Sequence, residues 1–356
     1  MSLFLANIWD ELISELGLAQ LEDTFDAVHG NWLAPPRGAS APRRGDHVLL
    51  APSTMESAVT PRVAAERASA LLGWVLFPDQ AIGWDFAHQR YRYQPHSVLA
   101  DTLDLAAAVY VNSDYTRTRL GLAGIRDDLR VLPLGVDYAG ISEAAGTAAG
   151  HSSEGNGPHI FWGHMWRTQK DPENAIGILT AVLDEVAEVR VTVGRASSWG
   201  DPEHSPSDFQ DRLTDLVDVL VARGDRRVRV IDRFAKPRAY WRFLGGVDIA
   251  FSCSREESFG VGMMEHAAAG VACVLPNDKC YPEIHQGALL VKPEPQHIAS
   301  GITTLARHAE LRHRVQAACT ANAERYTAKR TVELICDAFG GAAPRPRPRS
   351  RALRRS

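Results

Sequence analysis

The chain has 356 residues, 45% of them apolar and 23% charged, with a formal net charge of −4. Those proportions are ordinary for a folded chain and exclude a disordered polypeptide, a collagen-like repeat and a disulfide-rich mini-protein. The charge is uneven: residues 341–356 carry six arginines and no acid, and the first 340 residues hold 33 basic and 43 acidic side chains, a balance of −10.

Ile8, Trp9, Leu12, Ile13 and Leu16 recur at helical spacing, so residues 7–20 read as an amphipathic helix. Residues 34–46, rich in Pro, Gly, Ala and Arg, read as a loop. Then follow a strand at His47–Ala51, a helix at Pro61–Leu72, a buried strand at Gly73–Phe77, a helix at Gln94–Ala107 and a strand at Ala108–Val111. Ser113 is a good N-cap for the next helix, and Arg130–Pro133 is a further strand. Residues 140–158 are small, polar and Gly-rich without periodicity, and read as a linker. Beyond it, strands at 159–162, 190–193, 228–231, 248–252, 271–275 and 289–292 alternate with helices at 173–185, 206–223, 237–244 and 262–269. Helices fill 296–339, the last of them Thr331–Phe339. Such alternation predicts parallel strands with helical crossovers, a doubly wound α/β sheet whose ligands lie at the strands' carboxyl ends.

Five cysteines without a C-x-x-C pair suit a reducing compartment. Metal-ligand spacing is absent, so no metal and no cofactor is expected. No apolar run approaches the length of a membrane span, and the N-terminus lacks the basic start of a signal peptide. The expectation is a soluble, cytoplasmic protein with no membrane partner.

The most informative stretch is Glu257-Ser258-Phe259-Gly260-Val261-Gly262-Met263-Met264-Glu265. It lies between a predicted strand and a predicted helix. Gly260 and Gly262 let the backbone approach a ligand closely, and the free N–H groups and dipole of the helix start attract a phosphate. Glu265, read as lying in the first turn, can accept hydrogen bonds from a sugar's neighbouring hydroxyls, and Glu257 can hold a second sugar. Taken singly, Glu265 also reads as an acid favouring its own helix dipole, and Lys170 as a solvated surface lysine.

The whole pattern resembles the E-x7-E signature of retaining glycosyltransferases with the two-domain GT-B fold. Val131-Leu132-Pro133-Leu134-Gly135-Val136-Asp137 resembles the segment that closes the first domain in that group. A narrower resemblance is to the tRNA-queuosine mannosyltransferase family, glycosyltransferase family 4-like. It is carried by Trp162-Gly163-His164-Met165-Trp166, by Lys170-Asp171-Pro172-Glu173, by Pro276-Asn277-Asp278 and by Tyr281-Pro282-Glu283-Ile284. It implies two Rossmann-like doubly wound domains facing a cleft, and a donor, GDP-mannose or another nucleotide sugar, bound mainly by the second domain. By that resemblance Lys170 neutralises the pyrophosphate, Glu257 holds the transferred sugar and Glu265 the ribose, while Phe259 and Gly260 offer backbone N–H groups. A lysine and a helix N-terminus aimed at the leaving diphosphate stabilise its growing charge without a metal.

Three features depart from the family pattern. Met165 stands where the family has an arginine, with Arg167 two residues on as the candidate substitute; Pro78 replaces a histidine in the first domain; and the usual first strand is missing. The resulting division is an N-terminal domain at 1–139, a linker at 140–158, a nucleotide-sugar domain at 159–340 and a basic disordered tail at 341–356. The expected reaction is transfer of a hexose, with retention, onto queuosine in tRNA; the basic tail suits that partner and reads equally as a solvated extension with no partner. Two rivals stay open: a glycosyltransferase of the same fold acting on a glycan, lipid or small metabolite, and a catalytically inactive nucleotide-sugar- or RNA-binding relative.

Overall fold

The computed structural model describes four strands within residues 47–91, and then residues 106–149, 157–164, 166, 168–194, 207–231, 234 and 236–340. The sequence-predicted helix at 7–20, the loop at 34–46, Pro78, Met165, Arg167 and the tail at 341–356 lie outside the described residues. The chain divides into two compact units. Among the described residues one is Leu134–Thr331; the other takes in those up to Pro133 and those from Val332 onward.

In the unit that holds the earlier residues, β1 (His47–Leu50), β2 (Ala70–Val75), β5 (Ala108–Val111) and β6 (Arg130–Val131) form a parallel sheet in that order. A separate antiparallel pair joins β3 (Trp84–Asp85) and β4 (Arg90–Tyr91). The sequence places a helix as far as Leu72, but the strand already begins at Ala70; the apolar run Ala70–Val75 is the β2 strand that pairs β1 on one side and β5 on the other. Helix α1 (Asp114–Leu122) starts where predicted: Ser113 is extended and its Oγ accepts from the Thr116 N–H at 3.1 Å.

In the unit Leu134–Thr331 six parallel strands run in the order β12-β11-β10-β7-β8-β9. They are β7 (His159–Trp162), β8 (Arg190–Gly194), β9 (Val228–Ile231), β10 (Ile249–Phe251), β11 (Ala272–Pro276) and β12 (Leu289–Val291). The chain starts in the middle at β7, builds outward to β9, returns to β10 and builds the other way. That is the doubly wound order, and its topological switch point lies between β7 and β10. All residues of β7, β10 and β11 are buried, and the runs are apolar, as a central parallel strand requires, except for His159, whose ring nitrogens are bonded to the Gly246 carbonyl and the Thr192 hydroxyl.

The helices of this unit are α2 (Tyr138–Ala149), α3 (Pro172–Glu185), α4 (Ser207–Gly224), α5 (Pro237–Leu244), α6 (Val261–Ala268), α7 (Tyr281–Ile284), α8 (Pro295–Arg307) and α9 (Ala309–Ala323); α10 (Ala328–Gly340) begins here and belongs from Val332 onward to the other unit. Ile176, Leu179, Val182 and Leu183 form the buried stripe of α3 and meet Ile160, Val191 and Ile302 in one core. Each such side chain contributes roughly 1.5–3 kcal/mol on burial.

The stretch 140–158, read as a linker, begins as a helix: α2 covers Tyr138–Ala149 and packs on α5. Its alanines and glycines hid the apolar face, in which Ile141, Ala144 and Ala145 are buried. Small residues let the helices approach closely, and a Cβ on Gly245 would lie 2.2 Å from the Ala145 carbonyl oxygen. The division between compact units falls before this helix, at Pro133–Leu134. The last helix, predicted from Thr331, starts at Ala328, three residues earlier.

Candidate functional site

The site lies at the carboxyl ends of β7 and β10, the switch point of the larger sheet. From β7 the chain passes Gly163 and His164 to a 3-10 turn, Thr168–Lys170. From β10 it enters the loop 252–260 and then α6. The two segments are stitched together. The N–H of Arg255 donates to the Gln169 carbonyl at 2.8 Å, and the Arg255 guanidinium donates to Asp171 Oδ1 at 2.9 Å. Asp171 is buried, holds Asn174 Nδ2 at 2.7 Å, and sits in the left-handed region at φ 49° immediately before Pro172. A non-glycine residue strained in this way persists only where its surroundings over-determine it.

This frame brings Lys170 and Glu257 together, 87 residues apart in sequence. Lys170 Nζ donates to Glu257 Oε2 at 2.5 Å, with side chains only 17% and 11% exposed, so the pair escapes most solvent screening. The other oxygen of Glu257 accepts from the Ser258 N–H at 3.2 Å. Burial acts to raise the Glu257 carboxyl pKa, but the Lys170 ammonium and its hydrogen bond, together with the smaller contributions of His164 and the Ser258 N–H, outweigh it and hold the group below the usual carboxylate range. His164 belongs to the same cluster: burial first, and then the charge of Lys170, push its pKa down to about 3. Its ring lies 5.8 Å from that of Trp162. A neutral imidazole beside an ammonium and a carboxylate leaves that pair as the only charges of the cluster.

The loop floor is a buried hydroxyl chain. Tyr281, on α7, donates to Ser252 Oγ at 2.7 Å, and Ser252 and Ser254 meet at 2.9 Å. At the end of the loop Gly260 caps α6 in a left-handed conformation, φ 80°, ψ 45°. A Cβ there would come within 2.7 Å of His285 Nε2, so glycine is required by both backbone and space. His285 Nε2–H donates to the Phe259 carbonyl at 2.9 Å and so fixes the turn. The Phe259 side chain is buried edge-on against Tyr326, which leaves its backbone as the part able to face a ligand. The first N–H groups of α6 have no partner within the helix. At Gly262, the second residue of α6, an added Cβ would meet nothing within 4 Å, so the space beside the helix start is open.

Glu265 is placed differently from the sequence expectation. The helix begins at Val261, so Glu265 falls in its second turn, because the left-handed cap at Gly260 starts the helix one residue before Gly262. Its partner is not Lys170 but Trp241 on α5, whose Nε1–H reaches Oε1 at 3.5 Å. Burial pushes its pKa up to about 7, opposed only by that hydrogen bond. Sequence reasoning gave no role to His164, His285 or Trp241. His164 lay inside the quoted Trp-Gly-His-Met-Trp run, whereas Trp241 carries no local signal. Among the described residues no group of three or more His, Cys, Asp or Glu is placed to hold a metal, and no helix is long and apolar enough to cross a membrane.

No protein-family profile matches the chain. A stretch of 127 residues is 28% identical to the tRNA-queuosine alpha-mannosyltransferase of Drosophila melanogaster; it spans 36% of this chain and about a third (30%) of that protein. Among solved structures, the UDP-forming α,α-trehalose-phosphate synthase of Burkholderia xenovorans superposes with a TM-score of 0.68 at 11% identity, over 83% of this chain and 74% of the other. An Anabaena protein crystallised in complex with UDP and glucose superposes with a TM-score of 0.64 at 16% identity, over 83% and 77%. The chain therefore has the α/β, parallel-sheet fold of the GT-B glycosyltransferase structures.

Proposed function

We propose that the chain is a retaining glycosyltransferase that moves a hexose from a nucleotide sugar, with mannose from GDP-mannose as the donor and queuosine in tRNA as the acceptor. The observation that carries it is the Lys170–Glu257 pair, held at the switch point beside the glycine-capped start of α6. In the reaction the bond between the anomeric carbon and the diphosphate oxygen breaks. The acceptor hydroxyl oxygen bonds that carbon on the same face, and its proton passes to the leaving diphosphate. The diphosphate gains charge as the bond breaks, and Lys170 with the first N–H groups of α6 would stabilise it. Glu257 would accept hydrogen bonds from the sugar, and Glu265 from the ribose. This reading assigns no role to a metal.

The mannose and queuosine terms are supported by the similarity to the Drosophila protein and by the Tyr281–Ile284 segment. The test is to incubate the full chain with GDP-mannose or UDP-glucose and queuosine-containing tRNA, with and without EDTA, and to weigh the nucleosides. The expected result is a hexose added to queuosine, undiminished by EDTA. A second reading, a sugar-phosphate acceptor, is favoured by superposition on trehalose-phosphate and sucrose-phosphate synthases. Transfer to glucose 6-phosphate, with tRNA unmodified, would establish it. Binding of the donor without transfer to either acceptor would identify an inactive relative, the reading suggested by Met165 and Pro78.

A further inference from the structure

Lys170 has an anionic partner within the protein, Glu257 Oε2 at 2.5 Å. A diphosphate arriving at Lys170 meets a carboxylate already bound there. Glu257 is not free to retreat. Its second oxygen is held by the Ser258 N–H, and the loop that carries it is bonded to the Lys170 turn through Arg255 N–H and Gln169 O. Nor is a spare cation at hand among the described residues of this region: Arg255 is bound to Asp171 and Lys279 to Asp278, at 2.9 and 2.5 Å. Two anions sharing one ammonium repel each other, and at this depth solvent does little to screen them.

A sugar nucleotide differs from a bare nucleoside diphosphate by a group rich in hydroxyl donors. Those donors satisfy the carboxylate that the diphosphate has deprived of its lysine. We infer that Glu257 makes the site discriminate between the two: it accepts the sugar nucleotide, whose hydroxyls compensate it, and repels the bare diphosphate that remains after transfer. Lys170 then returns to Glu257 as the product leaves. Glu257 is in this view a specificity-determining and product-releasing residue as well as a sugar ligand. The inference rests on the glycosyl-transfer reading above. The carboxyl is held below its usual range, so the repelling charge is present throughout the neutral region.

The experiment is calorimetric titration of the full chain and of its Glu257→Gln variant with UDP, GDP, UDP-glucose and GDP-mannose. In the variant, Lys170 loses its internal anion and the bare diphosphate loses its competitor. Its affinity for UDP or GDP is expected to rise by about tenfold, while affinity for the sugar nucleotide rises less or falls. The ratio of the two dissociation constants therefore narrows. Wild-type binding with an unchanged ratio in Glu257→Gln overturns this inference and leaves the glycosyl-transfer reading standing. Failure of the wild type to bind any of the four overturns both. If Glu257→Gln does not fold, Glu257→Asp, with its carboxylate withdrawn by one methylene, must show the same narrowing in smaller measure; an unchanged ratio there is equally decisive against it.

Discussion

Glu257 and Glu265 are the same residue type, eight positions apart, and their surroundings push them in opposite directions. Glu257 sits in the loop after β10 with Lys170 at 2.5 Å and a backbone N–H on its other oxygen, and is held ionised below the ordinary range. Glu265 sits in the second turn of α6 with one indole N–H at 3.5 Å, and burial lifts its pKa to about 7. Burial is the largest influence on both. The difference is the partner: a cation brought from another segment outweighs desolvation, and a single long hydrogen bond does not. An E-x7-E spacing in sequence therefore says nothing about charge until the third residue, Lys170 or Trp241, is placed.

The largest expected effect comes from abolishing the difference. Lys170→Met leaves the Glu257 charge buried without its cation, the situation of Glu265 made worse. If the chain transfers a hexose as proposed, donor turnover is expected to fall at least about 100-fold in kcat/KM, because Lys170 is the cation assigned to the leaving diphosphate. The stability profile should change sign as well. In the wild type the depressed Glu257 pKa contributes stability above its unfolded value, and that contribution is lost as pH falls through the folded pKa. In Lys170→Met the carboxyl is pushed upward and stability should instead improve on acidification. Melting temperatures between pH 4 and 8 check this; parallel profiles for the two proteins would contradict it.

A smaller effect is expected where the loop hands over to the helix. Gly260→Ala places a Cβ 2.7 Å from His285 Nε2 at φ 80°. The cost should be about 1–3 kcal/mol, read as a fall in melting temperature. Because His285 fixes the Phe259 carbonyl, the displacement should also weaken nucleoside diphosphate binding if this turn holds the diphosphate as proposed. A Gly262→Ala control, with open space around its Cβ, should leave stability almost untouched.

The architecture was readable where burial forces a pattern. The β10 and β11 runs, and β7 after His159, are apolar because both faces are covered, and the alternation with helices points to the parallel sheet. Lys170, Glu257, Gly260 and Glu265 were readable as a motif. Their grouping was not: the stitches are Arg255 to Gln169 and Tyr281 to Ser252, contacts that leave no periodic trace. Helix α2 was misread for a related reason. Its buried face is Ile141, Ala144 and Ala145, too small to register as amphipathic, and its stability comes from packing on α5 rather than from propensity.

The most specific effect concerns Glu265. Its folded pKa of about 7 exceeds the usual 4.5, so across that window the native state binds more protons than the unfolded one. Stability from this group therefore declines as pH rises from about 4.5 through 7 and is level above. Glu265→Gln removes the titration, so it should gain on the wild type by on the order of 1–3 kcal/mol between pH 5 and pH 8, measured by denaturant unfolding at each pH. If Glu265 accepts the ribose hydroxyls, ionisation makes it the better acceptor, and nucleoside diphosphate binding should gain a component with a midpoint near 7 that the Gln variant lacks. Trp241→Phe separates burial from hydrogen bonding. It keeps an aromatic ring on α5 but deletes the only hydrogen bond opposing desolvation, so the Glu265 midpoint should move upward. A downward movement would mean that the indole shields the carboxylate from water more than it stabilises its charge.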